Sequence, residues 1–129
     1  MYTILNGCER LWTVSPAART PPAGAIWLAR PVGVREAVGV IAVKPLADPG
    51  VCEMKRLWVD PARHGAGLGR HLASLSIAWA RHRGYRTMRL DTLKRMEAAT
   101  ALYRSLGFID IDAYVHNPIE DVMFMGLEL

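Results

Sequence analysis

The stretch from Val51 to Thr92 constrains the fold more than any other part of the chain. Val51 to Val59 is a run rich in apolar residues at successive positions, the pattern of a central strand covered on both faces. After Asp60-Pro61 the period changes: Leu68, Leu72, Leu75 and Trp79 fall at i, i+4, i+7 and i+11, one stripe of an amphipathic helix. Arg81, His82 and Arg83 suit the negative end of that helix, and Gly84 is a natural residue just beyond it. Arg86 to Thr92 then alternates Met88 and Leu90 with Arg89 and Asp91, as a strand does. Strand, helix, strand in this order implies parallel pairing with a right-handed crossover.

The flanks extend the same sheet. Ala25 to Arg30 and Ala37 to Val43 read as the arms of a hairpin, turned at Pro31 to Arg35. Met96, Ala99, Leu102 and Leu106 mark a second helix stopped by Gly107. Phe108 to Tyr114 and Val122 to Leu129 read as closing strands, separated by a loop holding Asn117-Pro118. The expected order is β-β-β-α-β-α-β-β: an α/β domain with one mixed central sheet flanked by helices. Residues 1–24 are expected to be irregular, because Pro16, Pro21, Pro22 and Gly24 oppose a continuous helix. At 129 residues the chain fits one compact domain.

Composition narrows the setting. The longest apolar runs are too short to span a bilayer, and Glu9 and Arg10 interrupt the start, so neither a membrane segment nor a signal peptide is expected. Two cysteines, Cys8 and Cys52, supply no disulfide framework, and a reducing cytoplasm is the expected compartment. The net charge of +4 favours an anionic partner, which leaves nucleic acid, acidic lipid and a phosphorylated cofactor open. The basic residues are dispersed and no nucleic-acid reading motif is present, so nucleic acid is the weakest of these.

The chemistry is carried by the turn His64-Gly65-Ala66-Gly67-Leu68-Gly69-Arg70. Glycines between a strand and a helix let the backbone take unusual dihedrals and approach a ligand closely. The first N–H groups of the helix have no intrahelical partner and lie at its positive end, which makes an anion site suited to phosphate or pyrophosphate. His64 and Arg70 flank the turn with donors, and Arg63 stands one residue before it. A P-loop requires a lysine and a hydroxyl that are missing here, and a dinucleotide fold requires G-x-G-x-x-G rather than G-x-G-x-G.

The turn resembles the coenzyme motif [QR]-x-x-G-x-[GA] of the GNAT N-acetyltransferases, with His64 at the position of the usual Gln or Arg. Two further segments resemble that superfamily, above all its bacterial small-molecule members. These are the approach strand Cys52-Glu53-Met54-Lys55-Arg56-Leu57-Trp58-Val59-Asp60-Pro61, and Ala101-Leu102-Tyr103-Arg104-Ser105-Leu106-Gly107-Phe108 at the end of the second helix. The likeness covers roughly residues 25–129, as a single GNAT-like domain whose N-terminal helical part is reduced or missing. It implies acetyl-CoA as cosubstrate, no metal, and transfer of acetyl to a primary amine by direct attack.

The resemblance also distributes roles. The pyrophosphate falls to His64, Gly65, Ala66, Gly67, Leu68, Gly69 and Arg70. The pantetheine arm falls to the backbone of Leu57, Trp58 and Val59, as an added strand. Tyr103 becomes the candidate acid for the departing thiolate, and Glu53 a candidate base for the incoming ammonium. Asp91 and Thr92 stand at the mouth of the expected site, and Tyr114, His116 and Asn117 lie in the loop where acceptors are contacted. Members of the superfamily usually place a strand and two helices before the hairpin, and those helices line the acceptor site. Their absence leaves an open site, a truncated start or a wall supplied by a second copy as expectations, a homodimer among them. The other reading is a CoA-binding or sensory module without catalysis.

Overall fold

The computed structural model describes residues 2–5, 11–16 and 24–129. One sheet of eight strands runs through it: β1 (Tyr2–Leu5), β2 (Leu11–Pro16), β3 (Ala25–Pro31), β4 (Gly39–Pro45), β5 (Val51–Val59), β6 (Thr87–Leu93), β7 (Ile109–Ile111) and β8 (Val122–Glu128). Helix α1 (Leu68–His82) joins β5 to β6, and α2 (Glu97–Ser105) joins β6 to β7. The spatial order is β1-β2-β3-β4-β5-β6-β8-β7, and β5 with β6 is its parallel pair. The last strand therefore slots between β6 and β7 and runs antiparallel to both.

Both helices lie on one face. Residues at alternate positions of the central strands (Trp27, Ile41, Val43, Cys52, Met54, Met88 and Leu90) are buried with Leu68, Leu72 and Ile77 of α1 and Tyr103 of α2. Gly39 makes the close approach possible: a Cβ there would sit 3.0 Å from a Leu72 methyl and 3.2 Å from a Leu68 methyl. Trp79 closes the far end, edge-on to Trp27 with ring centres 5.5 Å apart, while the Arg83 guanidinium lies 5.0 Å above its ring. No helix among the described residues lies on the other face of the sheet. By the alternation of a strand, that face receives Glu53 and Lys55 of β5 and Arg89 and Asp91 of β6.

Three expectations need correcting. The stretch 1–24, read as irregular, contains β1 and β2, which extend the sheet beyond β3 by antiparallel pairing. Prolines exclude a helix interior but not a strand end, and Pro16 sits at the end of β2, opposite Trp27. The expected strand from Phe108 to Tyr114 shrinks to Ile109–Ile111, because the chain beyond it leaves the sheet and crosses the helix-free face. Met96, expected inside the second helix, caps its start instead.

Leu72 is fully buried at the seam between α1 and the sheet. Leu72→Ala should therefore lower unfolding stability by about 2–5 kcal/mol, as measured by urea denaturation. A loss under 1 kcal/mol (roughly) would mean that α1 is not fixed to the sheet as described.

Candidate active site

β5 and β6 pair over only three positions, Val51 with Thr87, Cys52 with Met88 and Glu53 with Arg89, and then part. The cause sits in β5. Its register against β4 slips by one residue between the pairs Ala42–Lys55 and Val40–Trp58, and Arg56 within that slip has φ of +60°. A left-handed non-glycine residue is uncommon and costs roughly 1–2 kcal/mol, so the surrounding pairing must hold it there. Such a bulge bends the strand, and β5 turns away from β6. The gap is a cavity of about 270 Å³, bounded by Met54 to Leu57 of β5, Leu90 to Leu93 of β6, Met96, Tyr103, Asn117 and Ile119 of the last loop, and Val122 at the start of β8. Leu57, Trp58 and Val59 have no strand paired on their β6 side, and Leu57 lines the gap.

The glycine turn follows β5 in the chain. The Asp60 carboxylate accepts a hydrogen bond from the Ala62 N–H at 3.0 Å and starts a single 3-10 turn, Pro61–Arg63. Gly65 and Gly67 then take φ of +84° and +81°, and Gly67 is the residue from which α1 begins. A Cβ at Gly65 would meet no protein atom within 4 Å, and one at Gly67 only the His71 ring at 4.0 Å. The backbone conformation demands glycine at these two positions, and protein crowding does not. No side chain caps the helix, so its first N–H groups face an open space.

The flanking side chains have other partners. His64 Nε2 lies 3.0 Å from the Val59 carbonyl oxygen, which fixes that nitrogen as the N–H donor. Arg70 donates to Ser105 Oγ at 2.7 Å and ties the start of α1 to the end of α2. Both residues brace the turn, and the anion-facing donors left in it are backbone amides.

Tyr103 lines the cavity, is 7% exposed and packs edge-on against Phe108. Burial raises its pKa, so the phenol keeps its proton. Glu53 is elsewhere. It is 2% exposed, lies outside the cavity lining, and its Oε2 accepts a hydrogen bond from the Tyr114 hydroxyl. Its Oε1 has the ammonium groups of Lys55 and Lys44 at 3.4 and 3.5 Å but no hydrogen bond. The expected base is thus walled off by Lys55 and Tyr114 and reaches the gap only through Lys55.

The carboxylate that lines the gap is Asp91, 17% exposed. Its Oδ1 accepts from Lys55 Nζ at 3.2 Å and its Oδ2 from the Asn117 amide at 3.3 Å. Burial pulls the Lys55 pKa down, but the Asp91 hydrogen bond and the charges of Glu53 and Asp91 outweigh it and keep the ammonium charged. Tyr114 is held from several sides: Phe124 meets its ring edge-on, and the Arg89 guanidinium lies 5.3 Å from its ring centre. Burial, then the bond to Glu53, pushes its phenol far above the ordinary range, so it stays a donor. His116 joins none of these contacts. Among the described residues no group of three His, Cys, Asp or Glu side chains is placed to hold a metal, and no helix is long and apolar enough to cross a membrane.

The glycine turn and the place of Tyr103 near the end of the second helix are legible in the sequence. The bulge at Arg56 and the chain Tyr114–Glu53–Lys55–Asp91–Asn117 are not. The charges at 53, 55, 89 and 91, alternating in otherwise apolar strands, were the available signal.

The GNAT acetyltransferase family model matches residues 4–108, and the chain belongs to that family. An uncharacterised N-acetyltransferase of Schizosaccharomyces pombe is 43% identical over 109 residues, which is 84% of this chain and 66% of that protein. The chain spans 37% and 54% of two further curated N-acetyltransferases, from Dictyostelium discoideum and Escherichia coli. A solved Klebsiella pneumoniae structure, assigned as an acyl-CoA N-acyltransferase, superposes with a TM-score of 0.79 at 30% identity, covering 92% of this chain and 97% of that one. A family member from Elizabethkingia anophelis, solved with acetyl-CoA bound, has the same fold, with a TM-score of 0.72 at 21% identity over 92% of this chain and 98% of that one.

Removing the Tyr114 hydroxyl leaves a buried carboxylate oxygen without its donor. Tyr114→Phe should cost about 1–3 kcal/mol in urea denaturation. No loss would show that Glu53 does not depend on that bond.

Proposed function

We propose that the chain transfers an acetyl group from acetyl-CoA to a primary amine by direct attack, without a covalent enzyme intermediate. One observation carries the reading: β5 and β6 part beyond Glu53 into a gap lined by Leu57 and a buried neutral tyrosine, and β5 runs on through a glycine turn into a helix start that no side chain caps. The Elizabethkingia anophelis protein, which has this fold, binds acetyl-CoA.

In this reading the pyrophosphate lies against the amides of residues 67–70, where helix polarity and unpaired N–H groups favour an anion. The pantetheine arm pairs with the backbone of Leu57, Trp58 and Val59, and brings the thioester towards Tyr103. The amine must lose a proton before it attacks. Asp91, the carboxylate in the gap, takes that proton, directly or through a water molecule, and Glu53 holds Lys55 in place behind it. Attack forms the C–N bond and a tetrahedral oxyanion, which a backbone N–H of the Leu57–Val59 strand meets. Collapse breaks the C–S bond, and Tyr103 gives its proton to the CoA sulfur. The acid contributes modestly, because a thiol pKa near 8.5 already makes the thiolate a tolerable leaving group.

Tyr103→Phe should lower kcat about tenfold or more while leaving acetyl-CoA affinity nearly unchanged, read by thiol release over a panel of amines and by titration calorimetry. Equal losses in both would reduce the tyrosine to a coenzyme contact. Binding without thiol release for any amine, by the unaltered chain, would favour a non-catalytic CoA-binding module.

Gly67→Ala should cost roughly 1–2 kcal/mol of stability, because φ of +81° suits glycine alone. It should cost a further factor in acetyl-CoA affinity, measured at a temperature where the variant is fully folded. Undiminished affinity would sink the amide cradle.

A further inference from the structure

The charges around the gap are unequal. Its ionisable lining residues are Lys55, Arg56, Asp91 and Tyr103, and Tyr103 is neutral. Lys55 is satisfied by Asp91 and by Glu53 behind it, at 3.2 and 3.4 Å. Arg56 differs. Its side chain is exposed, and among the described residues no carboxylate lies within ion-pair distance of it. The chain accepts a left-handed backbone at this residue, where glycine or asparagine would be easier, and sets an arginine at the point where β5 slips its register against β4. Across the cavity, Asp91 has one oxygen towards Lys55 and one towards Asn117, and carboxylate oxygens have lone pairs to spare for a further donor.

We infer that the acceptor is a small amino acid, or a close aminocarboxylate relative, whose ammonium is held by Asp91 and whose carboxylate is held by Arg56. The inference rests on the acetyl-transfer reading above and specifies its second substrate. A zwitterion offers one group of each sign and matches a gap bordered by one unpaired cation and one accessible carboxylate. A polyamine matches it poorly, because each additional ammonium would lie in a region where Lys44, Lys55 and Arg56 outnumber Glu53 and Asp91. A guanidinium can meet a carboxylate with two parallel hydrogen bonds, which fixes the orientation of the ligand as well as its charge. Arg56 touches the non-reacting end of the acceptor and so decides specificity, with no part in the proton transfers.

The test compares free L-amino acids with their C-terminal amides and with the corresponding decarboxylated amines. Thiol release from acetyl-CoA is followed, together with thermal shift of the protein saturated with CoA. The free acids should exceed amides and amines about tenfold or more in kcat/KM, as expected for a charge-assisted pair. Arg56→Asn, which tolerates the left-handed backbone, should raise the acceptor KM by a similar factor, with kcat and CoA affinity little changed. Arg56→Lys should recover part of the loss. Amides or amines used as well as the acids would overturn the inference and leave acetyl transfer standing, as would an Arg56→Asn variant that weakens CoA as much as the acceptor. Carboxylate-dependent stabilisation without thiol release would support the aminocarboxylate site and overturn the transfer reading. Neither release nor stabilisation with any acid would overturn both.

Discussion

Three residue pairs join β5 to β6 before the strands separate, and the site depends on that separation. A sheet that stayed paired to the end would bury Leu57 to Val59 between neighbours and leave no gap beneath α2. The separation is forced locally, by one extra residue in β5 at Arg56, and held globally by β4 on one side and β8 on the other. Strain at a single backbone position is thus converted into an opening between two strands. The same turn of the strand carries the chain on into the glycine segment and the uncapped start of α1.

The two faces of the sheet solve different problems. One is covered by both helices and is almost wholly apolar, and there burial stabilises the fold in the ordinary way. The other has no helix among the described residues and carries Glu53, Lys55, Arg89 and Asp91 in strands that elsewhere read as core. A buried carboxylate such as Glu53 is costly unless it is paired and hydrogen-bonded. Here two ammonium groups and the Tyr114 phenol meet that need. The loop after β7 therefore serves the fold as well as the site: its Tyr114 and Asn117 close over the two carboxylates of the central strands.

The core of the molecule is visible in the chain itself. The change of period after Asp60-Pro61 and the return to alternation at Arg86 define β5, α1 and β6 and require the crossover between them. Glycines 65 and 67 announce a turn that only glycine can make, and both have the positive φ that this implies. Local steric and periodic rules decide these features, so they are legible without neighbours. The N-terminal strands were not legible, because short polar-interrupted segments acquire strand character only by pairing, and β2 exists by lying against β3.

Residue type and spacing by themselves determined an α/β chain with one crossover, a glycine turn at a helix start and a tyrosine near the end of the second helix. Tertiary structure alone decided which carboxylate meets the gap. Glu53 and Asp91 look equivalent in the sequence, but the first is sealed beneath Lys55 and Tyr114 while the second is left open at the cavity wall. The reason is physical: whether a charge is accessible depends on what packs above it, and Tyr114, which covers Glu53, comes from a loop 61 residues further along the chain. The bulge at Arg56 is of the same kind, since an extra residue in a strand is defined only against the register of its partner.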